Sequence, residues 1–500
     1  MDYLSFSLAW SPVLLLTVLA VFFRMPALKL SIWGTIFTLG LVVWYYGTPW
    51  SVALAAGLDG MLTTLPLILV IIAGILLSTL LMGTGSLKRL VDWFMGGVAG
   101  PYQQSLLIAM GVGNFMEGAG VIAEPVVAPM LAAAGVTPAG AAALSIVGYA
   151  GLMTLEMAGI IITVLALVTG YSAYELGVAS AWLSLPATLA MALLAVYYLP
   201  RLGGLGRRVG LALLAGLVAG LAALAAALWL SDSIGGMLGG LAVMVVLVLL
   251  GTRRLPLTSE ILVELAPFAF LLSVLLGLNM IGPLHELFAK QLVLKVAVIP
   301  VHQITFRPLY SGYLYLFLAL FLAAFLQNVS GHRLKETLAV GLSKAWRAAV
   351  AMALFGAMGQ MVSYSGYSAG FGELVQTSNL PWVLAQGLAA STGGFYPIFV
   401  PVLGWVGTFL TGYGVASLML FGALMVSAAG VLGISGVWLA AGLAVGCSLG
   451  SISSPFKIAI ATPMSQAVGQ EGDILRLTIP VGIGASLLVG VVLWLAVGAA

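Results

Sequence analysis

The chain has little charge to show to water. Only 7% of its 500 residues are Asp, Glu, Lys or Arg, against about 25% in an ordinary soluble protein. So few charges exclude a soluble globular chain of this length, because they could not cover its surface. A single cysteine, Cys447, excludes an intrachain disulfide and reads as a small buried residue. The three histidines, His285, His302 and His332, fall between apolar runs at no metal-ligand spacing, so no metal site is expected. There is no P-loop for ATP hydrolysis, and no nucleophile with a matched base, so an enzyme is not expected. A net charge of +3 is too small to argue for nucleic acid. The first apolar run begins near Leu8 with Asp2 before it, the wrong sign for a cleavable leader, so none is expected.

What fills the chain is apolar: 62% of residues are hydrophobic. Long apolar runs recur from end to end, continuous rather than alternating, which points to spanning helices and away from a barrel. Full spans are expected at 8–23, 29–47, 61–83, 139–171, 176–199, 209–230, 234–251, 261–281, 311–329, 345–365, 436–470 and 475–498. Residues 104–134 and 397–432 are too long for one span and are broken by glycines, so each is expected to be a re-entrant hairpin. Each follows an expected interfacial helix, near 86–97 and near 379–389. With both hairpins re-entering, the segments 24–29, 84–102, 200–208, 252–260, 331–347 and 471–476 share one side and hold 14 of the 18 Lys and Arg. That side is read as cytoplasmic, with both termini outside.

The two hairpins carry a short repeat. Residues 113–121 read GNFMEGAGV and residues 407–415 read GTFLTGYGV. The order of elements around them also recurs, starting from the other face. The expected fold class is therefore an all-α polytopic membrane protein of about 12 full spans plus two re-entrant hairpins, an inverted repeat with broken helices. Residues 1–200 form the first repeat with hairpin 104–134, 201–257 a linking helix pair, and 258–500 the second repeat with hairpin 397–432. Inverted repeats with broken helices belong to secondary transporters, with the substrate near the midplane.

Four charges fall at membrane depth: Glu117, Glu124, Glu156 and Lys457. Such groups line a cavity, pair or titrate. Glu117 sits at a hairpin tip between Gly113, Gly118 and Gly120, where burial favours the protonated carboxyl, so it is expected to carry the coupling proton. Glu156 follows the break Gly148-Tyr149-Ala150-Gly151 in one span, and Lys457 follows the break 450–455 in another. Two roles fit this pair: Lys457 attracts an anion that Glu156 replaces in the empty site, or the two form a permanent ion pair between the repeats. Glu124, beside Pro125, reads as structural or cavity-lining. Ser453, Ser454, Thr411 and Tyr413 add donors suited to a carboxylate, and helix N-termini at the breaks add theirs. The expected substrate is a small organic anion.

At these residues the chain resembles the bacterial lactate permease family. NFMEGAGVIAEPV at 114–126 is similar to that family's FLEGAAGFGAPV, and LGWVGTFLTG at 403–412 to its LGWLGVFLTG. SSPFKIAIA at 453–461 and VGQEGDILRLT at 468–478 resemble its ISPQSIAIA and VGKESDLFRFT. Where the family has FLTGSD this chain has Tyr413 and Gly414, and Glu156 and Lys457 replace small or polar residues. The resemblance implies proton symport of lactate or glycolate across a bacterial inner membrane, with Glu117 and the Thr411-Gly412 tip in the site. The expected proton-coupling residues are then Glu117 and Glu156. The expected substrate contacts are Gly118, Gly120, Tyr149, Thr411, Gly412, Tyr413, Ser453, Ser454 and Lys457. No cofactor is expected beyond the coupling proton. Sodium is the alternative coupling ion, and exchange or an anion channel are the alternative modes. The expected partners are the substrate anion and the lipid bilayer, with a homo-oligomer left open.

Overall fold

The computed structural model describes residues 3–23, 25–98, 100–201, 204–251, 256–412 and 414–499. Of the residues singled out above, Asp2, Arg24, Arg253, Arg254 and Tyr413 lie outside the described residues. The chain is an all-α multi-pass membrane protein. Among the described residues eleven helices are long and apolar enough to cross a bilayer, or twelve with the pair Tyr3–Ala9 and Ser11–Ala20, which bends by 41°. Helix is the form that satisfies backbone N–H and C=O groups within one segment when no water is present.

Two spans run longer than expected. The span read as 61–83 begins at Trp50, after Pro49, and extends to Gly83. The reading started late because Asp59 and its neighbouring glycines interrupt the apolar run. The span read as 345–365 is the second half of Gly331–Ser363, which starts where the Ser330 side chain accepts from the Arg333 amide. Its first half carries Arg333, Lys335, Lys344 and Arg347, too polar to read as a span. The expected interfacial helix near 86–97 is present as Ser86–Gly96, with Ser86, Leu87, Leu90 and Val91 buried along one face. One short sheet was not expected. Strand β1 (Leu294–Ile299) pairs antiparallel with β2 (His302–Phe306), with Val296 opposite Ile304.

The first hairpin has arms 101–118 and Glu124–Ala133, joined by a tip at 119–123. The second has arms Tyr396–Thr411 and Gly414–Leu432, turning at Gly412 with φ +81°. The helix expected near 379–389 is present as Leu380–Thr392; it ends at Gly393, with φ 53° and ψ −134°, and a short turn at Gly393–Phe395 leads into the first arm. Leu380–Thr411 and Gly414–Leu432 are each long and apolar enough to cross.

Both expected broken helices are present. Pro138–Ala150 and Ile160–Thr169 are separated by a break in which Met157, Ala158 and Gly159 have φ of 53°, 53° and 76°. Two of these three left-handed residues carry a Cβ, a strain of about 1–3 kcal/mol each. Gly436–Gly450 and Pro455–Met464 are separated at Ser451–Ser454. Pro455 forces that end, because the residue before a proline is pushed to extended backbone; Ser454 has φ −73° and ψ 118°. Each broken helix sits on an arm of its neighbouring hairpin through glycine. A Cβ on Gly148 would lie 2.0 Å from the Ala109 carbonyl oxygen, and one on Gly446 would lie 2.0 Å from that of Pro401. The breaks are tied to each other as well: the Thr154 hydroxyl meets that of Ser448 and reaches the Ala444 carbonyl at 3.3 Å.

Gly446→Ala therefore forces backbone apart and should cost about 1–3 kcal/mol. A thermal melt in detergent should show a clear drop for Gly446→Ala. Gly430→Ala, where a Cβ meets nothing within 4 Å, should melt with the parent chain.

Candidate functional site

Lys457 stands in the first turn of Pro455–Met464, one turn after Ser454. Its side chain is 13% exposed, so the ammonium needs a partner from the protein. It finds two. Lys457 Nζ donates to the Tyr149 hydroxyl at 2.6 Å and lies 3.4 Å from Glu124 Oε1. The Tyr149 hydroxyl donates in turn to Glu124 Oε1 at 2.6 Å. The ammonium lies 4.7 Å from the Tyr149 ring centre, so it approaches the phenol edge rather than covering the ring face. Three elements meet in this contact: the second arm of the first hairpin, the end of Pro138–Ala150, and the start of Pro455–Met464. Glu124, taken in sequence as structural or cavity-lining, is the direct counter-charge of Lys457.

The other two acids lie close by without touching the ammonium. Glu117 is 4% exposed, and its Oε1 accepts from the Ala123 amide at 2.7 Å, which closes the hairpin tip over the start of Glu124–Ala133. Glu156 is fully buried in the strained break, and neither of its oxygens has a hydrogen-bond partner among the described residues. It was read as the residue facing Lys457; the ion pair of Lys457 goes to Glu124 instead. Glu156 fills space left by glycine. A Cβ on Gly236 would come within 2.5 Å of Glu156 Cγ and 3.2 Å of Gly118 Cα. Gly235–Leu249, read as part of a linking pair, therefore forms one wall of the cluster. No sequence signal distinguished Gly236 from the other 62.

The expected donors divide. Thr411 is buried and donates to the Gly407 carbonyl at 2.8 Å, and Ser453 donates to the Thr478 carbonyl at 2.8 Å. The Ser454 hydroxyl, also buried, has no partner among the described residues. It stands at the N-terminus of the helix that carries Lys457, where free amides favour an anion. Gly412 packs against Phe456, where a Cβ would meet Phe456 Cβ at 2.8 Å, so the second tip touches the residue before Lys457. Gly120, with φ +79°, turns its carbonyl onto Gly74 and away from the cluster. A cavity of about 670 Å³ opens where 135–140, 197–201 and 473–477 meet, and no cluster residue lines it. Among the described residues no three His, Cys, Asp or Glu are grouped to hold a metal ion.

Two further acids are buried outside the cluster. Glu264 is held by Ser86, by Arg89 Nε at 2.6 Å and by Gln327 at 3.1 Å. Asp59, fully buried, accepts from Gln360 at 3.1 Å, and its Oδ2 lies 2.7 Å from His302 Nδ1. His302 Nε2 lies 3.3 Å from the Leu167 carbonyl. Both ring nitrogens thus face acceptors, an arrangement suited to the imidazolium.

A model of the L-lactate permease family matches residues 5–255 and 254–499, essentially the whole chain. The chain belongs to the L-lactate permease family. It is thus a membrane permease, a transporter rather than an enzyme. An L-lactate permease of Streptococcus iniae is 27% identical over 87% of this chain and 93% of its own length. One of Salmonella typhimurium is 26% identical over 95% and 94%. The glycolate permease GlcA of Escherichia coli is 34% identical over 24% of this chain and 22% of its own. The solved structure of Neisseria gonorrhoeae MtrF superposes at a TM-score of 0.44 with 13% identity, over 88% of this chain and 81% of that one, too distant to carry an argument. Against the family segments FLEGAAGFGAPV and ISPQSIAIA, this permease has Glu124 in place of alanine and Lys457 in place of serine.

The His302 contact gives this permease a pH-dependent stability. Burial opposes the imidazolium, but the hydrogen bond and charge of Asp59, with the Leu167 carbonyl, hold the His302 pKa above its ordinary value. A raised folded pKa adds stability that is fully present below the unfolded value of about 6.5 and is lost as pH rises through the folded one. Thermal melts should fall across that window for the parent chain, and His302→Gln should flatten the fall. An equal fall in the variant would remove His302 as its source.

Proposed function

We propose that this permease is a proton-coupled symporter of a small 2-hydroxy monocarboxylate, lactate or glycolate by class, in the bacterial inner membrane. The observation that carries the reading is a largely enclosed lysine among three buried carboxyl groups, where two helix breaks and a hairpin tip meet, with the unpartnered Ser454 hydroxyl at the N-terminus of the lysine's helix. A purely structural bundle has no use for such a gathering, since buried charge adds little net stability. Names of relatives support the substrate class: two are L-lactate permeases and one is a glycolate permease.

In this reading Lys457, Ser454 and the amides of Pro455–Met464 receive the substrate carboxylate. Tyr149 and Thr411 border it, with Gly118, Gly412 and Ser453 shaping the backbone around it, and Tyr413, outside the described residues, stays an expected contact. Glu117 carries the coupling proton, and Glu156 is a second protonatable wall. The two segments 1–200 and 258–500 act as inverted repeats that rock about the site by alternating access, with the pair in 201–257 linking them. The basic loops face the cytoplasm and both termini face out.

The test is uptake of labelled L-lactate into proteoliposomes under an imposed inward proton gradient, with and without Na⁺. Uphill uptake driven by protons alone supports the reading. A requirement for Na⁺ replaces the coupling ion, and currents far above carrier turnover without uphill uptake replace the carrier with a channel. Glu117→Gln should reduce proton-driven accumulation to background while sparing exchange. Full accumulation by that variant would remove Glu117 from the coupling.

A further inference from the structure

We infer that Glu124 is the resident anion of the substrate site: its carboxylate occupies Lys457 in the empty carrier, the substrate carboxylate takes its place, and Glu124 leaves carrying a proton. The inference rests on the reading of the site as one for small monocarboxylates, and it names the group that ties binding to protonation.

The geometry singles out Glu124 among the three acids. It alone makes an ion pair with Lys457, at 3.4 Å. Glu117 is engaged by the Ala123 amide, and Glu156 touches no donor among the described residues. Its Oε1 takes both Tyr149 and Lys457, and its buried Oε2 meets no N–H or hydroxyl donor among the described residues, with the Glu117 carboxyl as its neighbour. The Ser454 hydroxyl is fully buried and without a partner among the described residues. Ser454 precedes the helix that carries Lys457, so its hydroxyl is a donor that Glu124 does not use and that a second carboxylate could take.

The exchange conserves charge. Lys457 ammonium paired with Glu124 carboxylate, plus one substrate carboxylate and one proton, becomes Lys457 ammonium paired with substrate, plus neutral Glu124. No covalent bond forms or breaks. The proton is required because Glu124, once displaced, has no cation left to face; Glu117, the neighbouring carboxyl across the hairpin tip, takes it up first and hands it on. Around it stand Tyr149 from Pro138–Ala150, Lys457 from Pro455–Met464, Glu117 across the hairpin tip and Glu156 from the break. The packed segment Leu107–Val112 brings no titratable group. Left as a carboxylate without Lys457, Glu124 would be an unpaired charge in a water-poor interior. Tyr149 can serve both states, because its hydroxyl accepts from Lys457 and donates to whichever carboxylate is present.

The experiment is calorimetric titration of the purified full chain in detergent with glycolate and with L-lactate, in two buffers of different ionisation heat. It reads protons taken up per acid bound. Glu124→Gln should take up about one proton fewer than the parent chain. It should also bind about tenfold tighter or more, because no resident carboxylate competes for Lys457. The double variant Glu124→Ala with Lys457→Ser removes both charges, so no buried charge is left unpaired to threaten folding. It too should take up about one proton fewer, while binding more weakly than Glu124→Gln. Proton uptake equal to the parent's in either variant overturns the exchange and leaves the substrate reading standing. Failure of the parent chain to bind either acid overturns the monocarboxylate reading, and the inference falls with it.

Discussion

An ammonium held out of water must be answered by the protein, and the answer to Lys457 organises the centre of this permease. Breaking a buried pair by removing one partner costs about 3–5 kcal/mol, a large part of the 5–15 kcal/mol by which a domain is stable. The pairing of Lys457 with Glu124 and Tyr149 therefore fixes three segments that are far apart in the chain: a hairpin arm, a half-helix before one break and a half-helix after the other. The tight glycine contacts of Gly148 on Ala109 and Gly446 on Pro401 have the same consequence, since each broken helix reaches the centre only by lying directly on a neighbouring backbone.

The same centre is arranged for change as well as for stability. Met157, Ala158 and Gly159 hold left-handed backbone immediately after Glu156. Strain of that kind persists where the surroundings over-determine it, and here Gly312 packs directly on Ala158 and Ser233 directly on Gly159. The acid without a hydrogen-bond partner among the described residues and the strained backbone are neighbours in sequence, so a movement that relieves one acts on the other. The paired Lys457 and Glu124 and the unpartnered Glu156 thus divide the work: the first holds the two halves in register, and the second sits where the backbone has stored energy.

Local chemistry was readable in the sequence and long-range pairing was not. Glu117 announced itself by the glycines around it, and the breaks before Glu156 and Lys457 by glycine, serine and proline in otherwise apolar runs. Lys457 was recognisable as a buried charge, but its partner was taken to be Glu156, because the repeat offset set those two near each other. The true partner is fixed by how a hairpin arm leans on a half-helix, which no spacing in the chain records. Asp59 was missed for a related reason. A polar residue inside a helix reads as the end of a span unless its partner is known, and the partner, His302, lies in a β-hairpin that a search for spanning runs passes over.

The ion pair at the centre also bears on how such a chain can change over generations. Positions 124 and 457 are far apart in the chain, yet each shapes what the other can become. A lineage that loses the glutamate alone leaves Lys457 with Tyr149 and only the more distant carboxyls of Glu117 and Glu156, a weaker pairing for the empty carrier. The neutral alanine–serine combination of the family segments and the charged combination found here are two alternative solutions, and passage between them runs through such weakened intermediates. Descendants of either solution inherit the two positions as a unit, as if distant stretches of the gene were physically linked.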